Sequence, residues 1–522
     1  MSDAWTSERL FDETNQIELE WPGQVGWVSQ VITQLSQEQC SAREAGLLAG
    51  FWLLHFVHQV RAVTAEGTLS DPSSEVDFTL LVSESRRKQV LADFKDATER
   101  RKIDELIRTV WRTRNLPENL SILPLVEDGR LGRLRRPSRL GFAALRRMRP
   151  GAEKILIADP YLKIRRATYA NAMVSTSRWA TWLRGADEDL RVHSEIDTDA
   201  RLAMAKSVSI SSQNDLIKAL IPLLIPYGYC ESRRDTRRQV LCNWSQQPKV
   251  LYTATGLQMS LVVQHMAAAW GSKGTLISTH QHGGHTGLDY RHVLEDLEVN
   301  LSDIYYTFGW TDSRSNVRPL VIPSPLGRAR KSDNTVLLMS LESAPFVYRL
   351  QPFCLPEHVT KCLEESQRFL SSISADVEIS IRANHDVQSI LKPSNVTARL
   401  ADVVGSGPKS ASKFGLVVHN YLGTSWLETL AMDIPTVCFI PPGIHKFRLA
   451  AQPFADALIR VGVLHYSGLE AAKFINSLRG DPTAWWQSAE VQEARESFVA
   501  RYANFSDNWL EAWTEEFERL LG

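Results

Sequence analysis

The chain contains 522 residues, of which 43% are hydrophobic and 23% are charged, and its formal net charge is −1. That length exceeds what a single hydrophobic core supports, so it predicts two or more domains. The balanced charge excludes a global electrostatic attraction to nucleic acid. Six scattered cysteines without CxxC spacing indicate neither a zinc site nor a disulfide framework, which favours a reduced protein.

Neither secretion nor membrane insertion is predicted. The first residues are acidic and polar, and they lack the basic start and apolar core of a signal peptide. No apolar run approaches the roughly 18 residues that a membrane-spanning helix needs. We therefore expect a cytoplasmic protein.

The N-terminal part of the chain is dominated by helical patterns. Residues 24–63 predict two helices, and Ser41 with Glu44 forms a capping box at the start of the second. This second helix is apolar on most faces, so it is expected to be buried. Residues 78–83 predict a short strand, and residues 84–113 predict a charged, exposed helix.

An arginine-rich segment, Arg130–Arg149, follows these elements. It holds eight arginines and no acidic residue. Basic residues near an anionic membrane surface each contribute about 1 kcal/mol of binding, so contact with the inner face of the cytoplasmic membrane is one interpretation. A solvated loop that pairs with acidic residues elsewhere is the other.

The next stretch alternates strands and helices. Residues 154–159 and 249–254 are short apolar runs that predict buried strands. Residues 168–185, 213–226 and 258–270 predict helices. Such alternation indicates an α/β domain built on a parallel sheet.

The most unusual stretch of the sequence is a loop rich in histidine and glycine. Residues 275–279 predict a strand, which runs into HQHGGHTG at residues 280–287. Glycine permits close approach of the backbone to a ligand, and histidine can carry a proton near neutral pH. We interpret the loop as catalytic or phosphate-binding. A zinc site, for which the helical HExxH pattern is missing, and a structural turn are the alternatives.

The pattern then leads into a second α/β region. Residues 311–334 are rich in Ser, Arg and Pro and predict an interdomain linker. Residues 335–340 predict a strand and residues 356–372 a helix. Residues 377–382 predict a strand that ends at Arg382, which could bind phosphate in a bidentate manner or form a surface ion pair.

Residues 411–440 predict a strand, a small-residue turn, a helix and a second strand. Ligands bind at the carboxyl ends of strands in open α/β sheets, and a helix N-terminus favours an anion. The segment therefore resembles half of a nucleotide site. Alternatively, Ser425 and Glu428 form a capping box and contact no ligand. Residues 452–478 continue the alternation, and residues 483–522 predict a closing helical tail.

Several of these motifs resemble a bacterial family, the surface-polysaccharide (O-antigen) transferases, over most of residues 245–510. The first group matches the family's QHGG-x-x-G loop and its E, SD and WGW landmarks, and consists of Gln281-His282-Gly283-Gly284, Gly287, Glu298, Ser302-Asp303 and Phe308-Gly309-Trp310. Phe308 stands where the family has Trp. The second group matches the segment H-x-x-x-S-T-x-x-L-E-T-L-A-x-x-x-P-T, and consists of His419-Asn420, Thr424, Leu427-Glu428-Thr429-Leu430-Ala431 and Ile434-Pro435-Thr436. Gly423 stands where the family has Ser.

The resemblance implies a GT-B-like fold. We expect an α/β chain with two Rossmann-like domains that face a central cleft, an extra helical N-terminal part and a C-terminal helical tail. Residues 1–325 would form the helical region and a Rossmann-like domain that binds the acceptor and carries the catalytic loop. Residues 326–522 would form the Rossmann-like donor-nucleotide domain and the tail.

The resemblance also implies a function, namely a glycosyltransferase in bacterial O-antigen or capsule biosynthesis. Such an enzyme moves a sugar from a nucleotide-activated donor to a glycan or lipid-linked acceptor. The catalytic candidates are His282 as the first choice of base, with His285 and Glu298 as alternates. The donor-binding candidates are Gln281, Gly283, Gly284, Arg382, His419, Thr424, Ser425 and Glu428.

No cofactor and no metal is expected, so the enzyme should be metal-independent. Asp197-Thr198-Asp199 has the spacing of a metal-binding DxD motif, but it lies in a charged, loop-like context outside the predicted donor domain. Related polysaccharide enzymes suggest a CMP-linked donor. Two alternative functions remain: a CDP-alditol phosphotransferase that makes a polyol-phosphate polymer, and a non-catalytic module that binds a nucleotide sugar or docks partners.

Overall fold

The structure is a computed structural model of the chain. It describes residues 7–65, 78–84, 97–125, 154–160, 172, 176, 180–183, 190, 192, 195–242, 244, 246–324, 333–340, 356–375, 377–382, 411–479 and 481–522. The arginine-rich segment Arg130–Arg149 lies outside these residues. So do residues 325–332, which include the predicted domain boundary, and that boundary stays a prediction.

Helices and strands alternate through most of the described chain. The helices are α1 (Ser7–Ser36), α2 (Ala42–Ala65), α3 (Ala97–Thr113), α4 (Thr198–Lys206), α5 (Gln213–Leu224), α6 (Arg233–Leu241), α7 (Gly256–Met259), α8 (Leu261–Gly271), α9 (Val293–Leu301), α10 (Pro356–Ser372), α11 (Thr424–Ala431), α12 (Gln452–Arg460), α13 (Gly468–Ser477), α14 (Thr483–Trp486), α15 (Ala489–Tyr502) and α16 (Trp509–Leu521). The strands are β1 (Thr79–Val82), β2 (Ser121–Pro124), β3 (Ile155–Ala158), β4 (Ala180–Leu183), β5 (Val250–Thr253), β6 (Leu276–His280), β7 (Ile304–Thr307), β8 (Val317–Pro319), β9 (Asp333–Met339), β10 (Ile379–Arg382), β11 (Phe414–His419), β12 (Thr436–Phe439) and β13 (Leu464–His465).

Two parallel sheets organise the molecule. The first has six strands in the order β4-β3-β5-β6-β7-β8, and the second has five in the order β10-β9-β11-β12-β13. Every neighbouring pair in both sheets is parallel. In both sheets the strand that comes first in the chain lies second in the order, which is the arrangement of flavodoxin-like doubly wound folds. Strands β1 and β2 form a separate parallel pair.

The N-terminal helices cover one face of the first sheet. Helix α2 starts with the predicted capping box, because the Glu44 amide donates to Ser41 Oγ (3.2 Å) and the Ser41 amide donates to Glu44 Oε2 (2.8 Å). The helix is buried on nearly all sides, as its composition predicted. Its apolar residues share one core with those of α1, α8 and strand β5.

The C-terminal helix α16 returns to the first sheet. Its residues Trp509, Trp513 and Phe517 are buried in one apolar cluster with Ile155 and Tyr252 of that sheet. The tail that follows the second sheet in sequence therefore packs on the first sheet in space. This crossing fixes α16 to the predicted acceptor half.

A further apolar cluster joins the two sheet units. It contains Tyr305, Phe308 and Trp310 from the first unit, and Trp426 and Phe447 from the second. The predicted fold class is confirmed: the chain is α/β, with two parallel-sheet units, a helical N-terminal part and a C-terminal helix. No helix in the described ranges is long and apolar enough to cross a membrane.

Three local predictions were wrong. Residues 180–183 form strand β4 instead of the end of a helix, because they pair along their whole length with β3. The predicted linker at residues 311–334 contains strand β8, whose Pro319 is tolerated because β8 is an edge strand. The helix predicted at residues 258–270 breaks at Ser260, which has an extended backbone and caps α8 through its hydroxyl.

Candidate active site

A cleft with about 490 Å³ of empty space, part of it open solvent, lies between the two units. One wall comes from the carboxyl edge of the first sheet, and the other comes from the start of α11. The lining residues are His280, Gln281, His282, Phe308, Ile322, Pro323, Ser324, Thr424, Leu427, Glu428 and Phe505.

Gln281 holds the loop that forms the first wall. Its Oε1 accepts hydrogen bonds from the Phe308 amide (3.0 Å) and from Trp310 Nε1 (2.8 Å). Its Nε2 donates to the carbonyls of Gly283 (2.8 Å) and Thr286 (3.1 Å). The side-chain amide of Gln281 therefore uses both of its hydrogen-bond donors and both of its acceptor positions within the protein. Gln281 lines the cavity, but its side chain supports the loop rather than offering hydrogen bonds to a ligand.

His282 and Glu298 form a pair at the edge of the cavity. Nδ1 of His282 lies 3.6 Å from Oε1 of Glu298, and the two side chains are 17% and 5% exposed. Oε2 of Glu298 accepts a hydrogen bond from the Tyr305 hydroxyl (3.3 Å). Nδ1 of the imidazole therefore faces the carboxyl group, and the ring itself forms part of the cavity wall.

Burial keeps this pair neutral. It lowers the pKa of His282 to about 4, and the nearby His292 acts in the same direction. Burial also raises the pKa of Glu298 well above its ordinary value. At neutral pH the imidazole is therefore unprotonated, as a group that accepts a proton must be.

The neighbouring histidines have different surroundings. His280 lines the cavity, but its Nδ1 is hydrogen-bonded to the Tyr252 hydroxyl (2.6 Å), and burial lowers its pKa to about 3. His285 is absent from the cavity lining and faces Asp289 and His445 instead. Of the three catalytic candidates, His282 lines the cavity, Glu298 lies behind it, and His285 points elsewhere.

The second wall begins at the N-terminus of α11. Gly423 is the N-cap residue, with an extended backbone and no side-chain cap. The predicted capping by Ser425 is wrong, because the helix starts before this residue, at Thr424. The Ser425 hydroxyl is instead 3.3 Å from that of Tyr421. Thr424 and Glu428 line the cavity, whereas Ser425 does not.

The two walls meet at glycines. A Cβ atom on Gly284 would lie 2.5 Å from the backbone nitrogen of Thr424 and 2.5 Å from the carbonyl carbon of Gly423. Only glycine lets the loop approach the helix start this closely. Gly283 is different, because a Cβ there would meet nothing closer than Thr286 Oγ1 at 3.9 Å.

Arg382 and His419 lie at the carboxyl edge of the second sheet, but neither lines the cavity. They end strands β10 and β11, which flank β9. His419 is fully buried and its Nε2 lies 3.1 Å from Thr429 Oγ1. Burial lowers the pKa of His419 to about 3, with Arg382 acting in the same direction. The contribution of both residues to donor binding stays a prediction.

The apolar part of the cavity was not predicted from the sequence. Ile322, Pro323 and Phe505 line it, together with the already noted Phe308 and Leu427. Phe505 follows α15 and reaches the cavity only because the tail crosses back to the first sheet. No local pattern in the sequence marks these residues.

A buried ion-pair network beside the loop was also missed. Glu295 is 1% exposed and accepts from Arg448 through both of its oxygens (3.0 and 2.8 Å) and from Arg314 (3.1 Å). Its Oε2 also accepts from the Gly287 amide (2.8 Å). One carboxylate therefore connects the end of the glycine-rich loop to an arginine of the second unit.

Comparisons with known proteins give one family match. The family model of the LIC12162 family transferases matches residues 114–517. No curated protein matches the chain in sequence.

Solved structures with a similar course of the chain include glycosyltransferases and a polymerase. The spinosyn rhamnosyltransferase SpnG is 13% identical, with 70% of this chain and 100% of that chain covered and a TM-score of 0.38. The glycosyltransferase VinC in complex with dTDP is 11% identical, with 70% and 98% covered and a TM-score of 0.37. The wall teichoic acid polymerase TagF is 9% identical, with 70% and 89% covered and a TM-score of 0.37.

Proposed function

The chain belongs to the LIC12162 family of transferases, and from that premise we propose that it transfers a sugar from a nucleotide-activated donor to a hydroxyl group. The acceptor is a glycan or a lipid-linked glycan in the synthesis of a bacterial surface polysaccharide, O-antigen or capsule. The observation that carries the proposal is the cavity itself. A neutral imidazole, His282, lines one wall, and the N-terminus of α11 forms the other.

His282 acts as the general base. Its Nε2 takes the proton of the acceptor hydroxyl as the acceptor oxygen bonds to the anomeric carbon. The bond between that carbon and the phosphate oxygen breaks, and the nucleotide leaves with the electron pair. Glu298 stabilises the imidazolium that forms, because its carboxyl group faces Nδ1.

The start of α11 receives the leaving nucleotide. Backbone N–H groups at a helix N-terminus point outward and carry partial positive charge, so they stabilise a phosphate anion. Thr424 adds a hydroxyl at this position, and Glu428, one turn further along α11, is placed to accept from a ribose hydroxyl. Gly284 keeps the loop of the first wall against this helix start.

We propose that donor binding needs no metal. The helix N-terminus would supply the positive potential, with Arg382 adding charge at the same sheet edge. Asp197 of the DxD-like triplet has another role, because its carboxylate caps α4 by accepting from the Ala200 amide (2.9 Å). A CMP-linked sugar remains the candidate donor.

Thermal stability against a panel of CMP, CDP, UDP, GDP and dTDP tests the donor site. A nucleotide at about 100 times its dissociation constant adds about 2.7 kcal/mol to the stability of the folded state. We expect one nucleotide to raise the melting temperature of the wild type, with a reduced effect on Glu428→Gln. Glu470→Gln, an exposed residue in the first turn of α13, is the matched control. No response to any nucleotide would overturn the proposal.

The product then distinguishes sugar transfer from phosphotransfer. The sugar donors of the nucleotide that binds would be incubated with the protein and a glycan acceptor, and the product examined by mass spectrometry. A mass gain of one sugar residue supports the proposal. A phosphodiester-linked polyol formed from a CDP-alditol would identify a phosphotransferase instead, and binding without turnover would identify a docking module.

We also propose that Arg130–Arg149 brings the protein to the inner face of the cytoplasmic membrane. Eight arginines without an acidic residue support this contact. Co-sedimentation with vesicles containing anionic lipid tests it, with neutral vesicles as the control. Binding that weakens as salt rises is expected, since salt screens exposed charges. Equal binding to neutral vesicles would contradict the proposal.

A further inference from the structure

A second group of chemically active side chains lies next to the glycine-rich loop and has no part in the proposed transfer. It consists of His285, Asp289 and His445, which we call the bridging cluster. Asp289 Oδ2 is 3.5 Å from His285 Nδ1, and Asp289 Oδ1 is 3.4 Å from His445 Nδ1. The two imidazole rings are stacked, with centroids 5.1 Å apart and planes 3° from parallel.

The bridging cluster is buried and is built from both units. The side chains of His285, Asp289 and His445 are 10%, 4% and 2% exposed. His285 and Asp289 follow strand β6, whereas His445 follows β12 in the second sheet. No metal pattern in the sequence connects them, because the third residue is distant in the chain.

The backbone around the bridging cluster is held in place independently of these side chains. The Tyr290 amide donates to the Lys446 carbonyl (2.7 Å), and the Arg448 amide donates to the Leu288 carbonyl (2.9 Å). These two bonds form an antiparallel bridge between Asp289 and Phe447. A ligand of the bridging cluster would therefore meet a site whose backbone is already ordered, which lowers the entropic cost of binding.

The distances fit metal ligands better than hydrogen bonds. Hydrogen bonds between nitrogen and oxygen are about 2.7–3.2 Å long, and both separations are longer. Two ligands that each lie about 2.0–2.1 Å from a tetrahedral zinc ion are about 3.4 Å apart. One potential ligand atom from each residue can be chosen so that all three lie within 4.8 Å of one another.

The chemistry of Asp289 supplies a second, independent observation. Its Oδ2 is buried and has no hydrogen-bond donor among the residues that the structure describes. A buried carboxylate oxygen without a donor is costly, and a bound cation removes that cost. The nearby arginine does not compete for Asp289 Oδ2, because Arg448 directs one guanidinium nitrogen at both oxygens of Glu295 and another at the Asp289 carbonyl.

We propose that the bridging cluster binds one divalent transition-metal ion, with zinc as the best fit. Two imidazole nitrogens and one carboxylate oxygen suit zinc and its neighbours, whereas magnesium and calcium prefer oxygen ligands. The fourth position is taken by water. The ion connects the loop that carries His282 to the second unit. The zinc site departs from the expectation that the protein binds no metal, but it is separate from the donor phosphate site, where donor binding would still need none.

Metal binding by the purified full chain tests this assignment without any activity measurement. The protein is treated with a chelator, dialysed and titrated with zinc chloride, and bound zinc is measured by elemental analysis. We expect one equivalent in the wild type. Asp289→Asn and His445→Gln should each weaken binding by more than about 100-fold, because changes even in outer-shell partners of metal ligands cost about 10–100-fold.

Two controls accompany the zinc titration: one is a variant outside the bridging cluster, and the other is a spectroscopic measurement on the wild type. His465→Gln should bind zinc like the wild type, because His465 is hydrogen-bonded to the Gly462 carbonyl, away from the bridging cluster. Circular dichroism shows whether each variant folds. Cobalt substituted into the wild type should give the intense visible absorption of a tetrahedral site. Wild-type protein that binds no zinc, or variants that bind it equally, would overturn the assignment whatever the nucleotide panel shows.

Discussion

Nδ1 of His282 lies 3.6 Å from Oε1 of Glu298, so a loop histidine and a helix carboxyl group face each other behind the wall of the cavity. The histidine reaches the cavity and the glutamate does not. In the proposed mechanism the two residues have different tasks: His282 accepts the proton of the acceptor hydroxyl, and Glu298 orients the imidazole ring. The two tasks can be separated by mutation.

His282→Asn should abolish most of the transfer activity while leaving nucleotide binding intact. General-base catalysis contributes about 10²–10⁴-fold to rate, so kcat/KM should fall by that factor. Glu298→Gln should cost less, because the base remains. Steady-state kinetics measures kcat/KM, and calorimetric titration measures the affinity for the nucleotide. His465→Asn is the control variant. Near wild-type kcat/KM in His282→Asn would remove this residue from the chemistry.

The dependence of rate on pH should reveal the burial of His282. Burial lowers its pKa to about 4, so the imidazole stays neutral and active as pH falls from 7 to 5. The acidic limb of kcat/KM should therefore lie near pH 4 instead of near the ordinary value of about 6.5. A pH profile of the wild type checks this. A limb at pH 6.5 or above would show that His282 is solvated in the working enzyme, or that another group titrates.

Two neighbouring glycines offer a matched pair of mutations. Gly284→Ala places a Cβ 2.5 Å from the Thr424 nitrogen, whereas the same change at Gly283 meets nothing closer than 3.9 Å. Gly284→Ala should therefore push the loop from α11 and weaken nucleotide binding by about 10-fold or more, as forced overpacking costs about 1–3 kcal/mol. Gly283→Ala should bind nearly as the wild type. Calorimetric titration compares the two, and equal affinities would mean that the close approach does not shape the donor site.

Local sequence patterns predicted most of the wall-forming segments. The loop after β6 and the strand–turn–helix unit around α11 were predicted because apolar runs and small-residue turns are formed by residues adjacent in the sequence. The predicted cap at Ser425 failed because a capping motif tolerates a shift of a residue or two, and the N-cap position is occupied by Gly423, two residues earlier. Helix boundaries depend on such small differences in local energy.

Long-range packing explains what the sequence did not reveal. Phe505 lines the cavity because the tail crosses back to the first sheet, and His445 meets Asp289 because an antiparallel bridge joins the units. Gly284 approaches Gly423 because the two sheet units pack against each other. Each of these contacts joins residues far apart in the chain, so no periodicity or spacing in one sequence marks them.

The buried histidines should make the fold sensitive to acid. Burial lowers the pKa of His58 to about 4 and that of His265 to about 3, both below the ordinary 6.5. Between these values and 6.5 the unfolded chain binds more protons than the folded one. Stability is therefore complete above pH 6.5 and is lost as pH falls, by up to about 1.4 kcal/mol per histidine and pH unit.

Melting temperatures at pH 7 and pH 5 check this expectation. The wild type should melt at a lower temperature at pH 5. His265→Gln should lower the melting temperature at pH 7, since the imidazole is hydrogen-bonded to the Gly228 carbonyl. The difference between the melting temperatures at pH 7 and pH 5 should become smaller than in the wild type. A gap unchanged by the mutation would mean that His265 does not contribute to the acid sensitivity.

Removal of the Glu295 charge should destabilise the fold. It is 1% exposed and neutralises Arg448 and Arg314, and it also accepts from the Gly287 amide. Glu295→Gln leaves the partly exposed Arg448 without this carboxylate, whereas Arg314 keeps Asp296 and Asp312. Breaking a fully buried pair costs about 3–5 kcal/mol, so the cost here should lie below that range. The melting temperature should fall clearly, whereas Glu470→Gln on the surface should leave it nearly unchanged.

A double-mutant cycle separates the pair from its surroundings. Arg448→Met removes the partner in the second unit, so the double variant with Glu295→Gln no longer carries an unpaired charge at that position. The cost of the double change should therefore be smaller than the sum of the two single costs, by about 0.5–3 kcal/mol. Chemical denaturation of the four proteins measures this coupling. Strict additivity would mean that Glu295 acts mainly through Arg314 and the Gly287 amide, within the first unit, and does not tie the two units together.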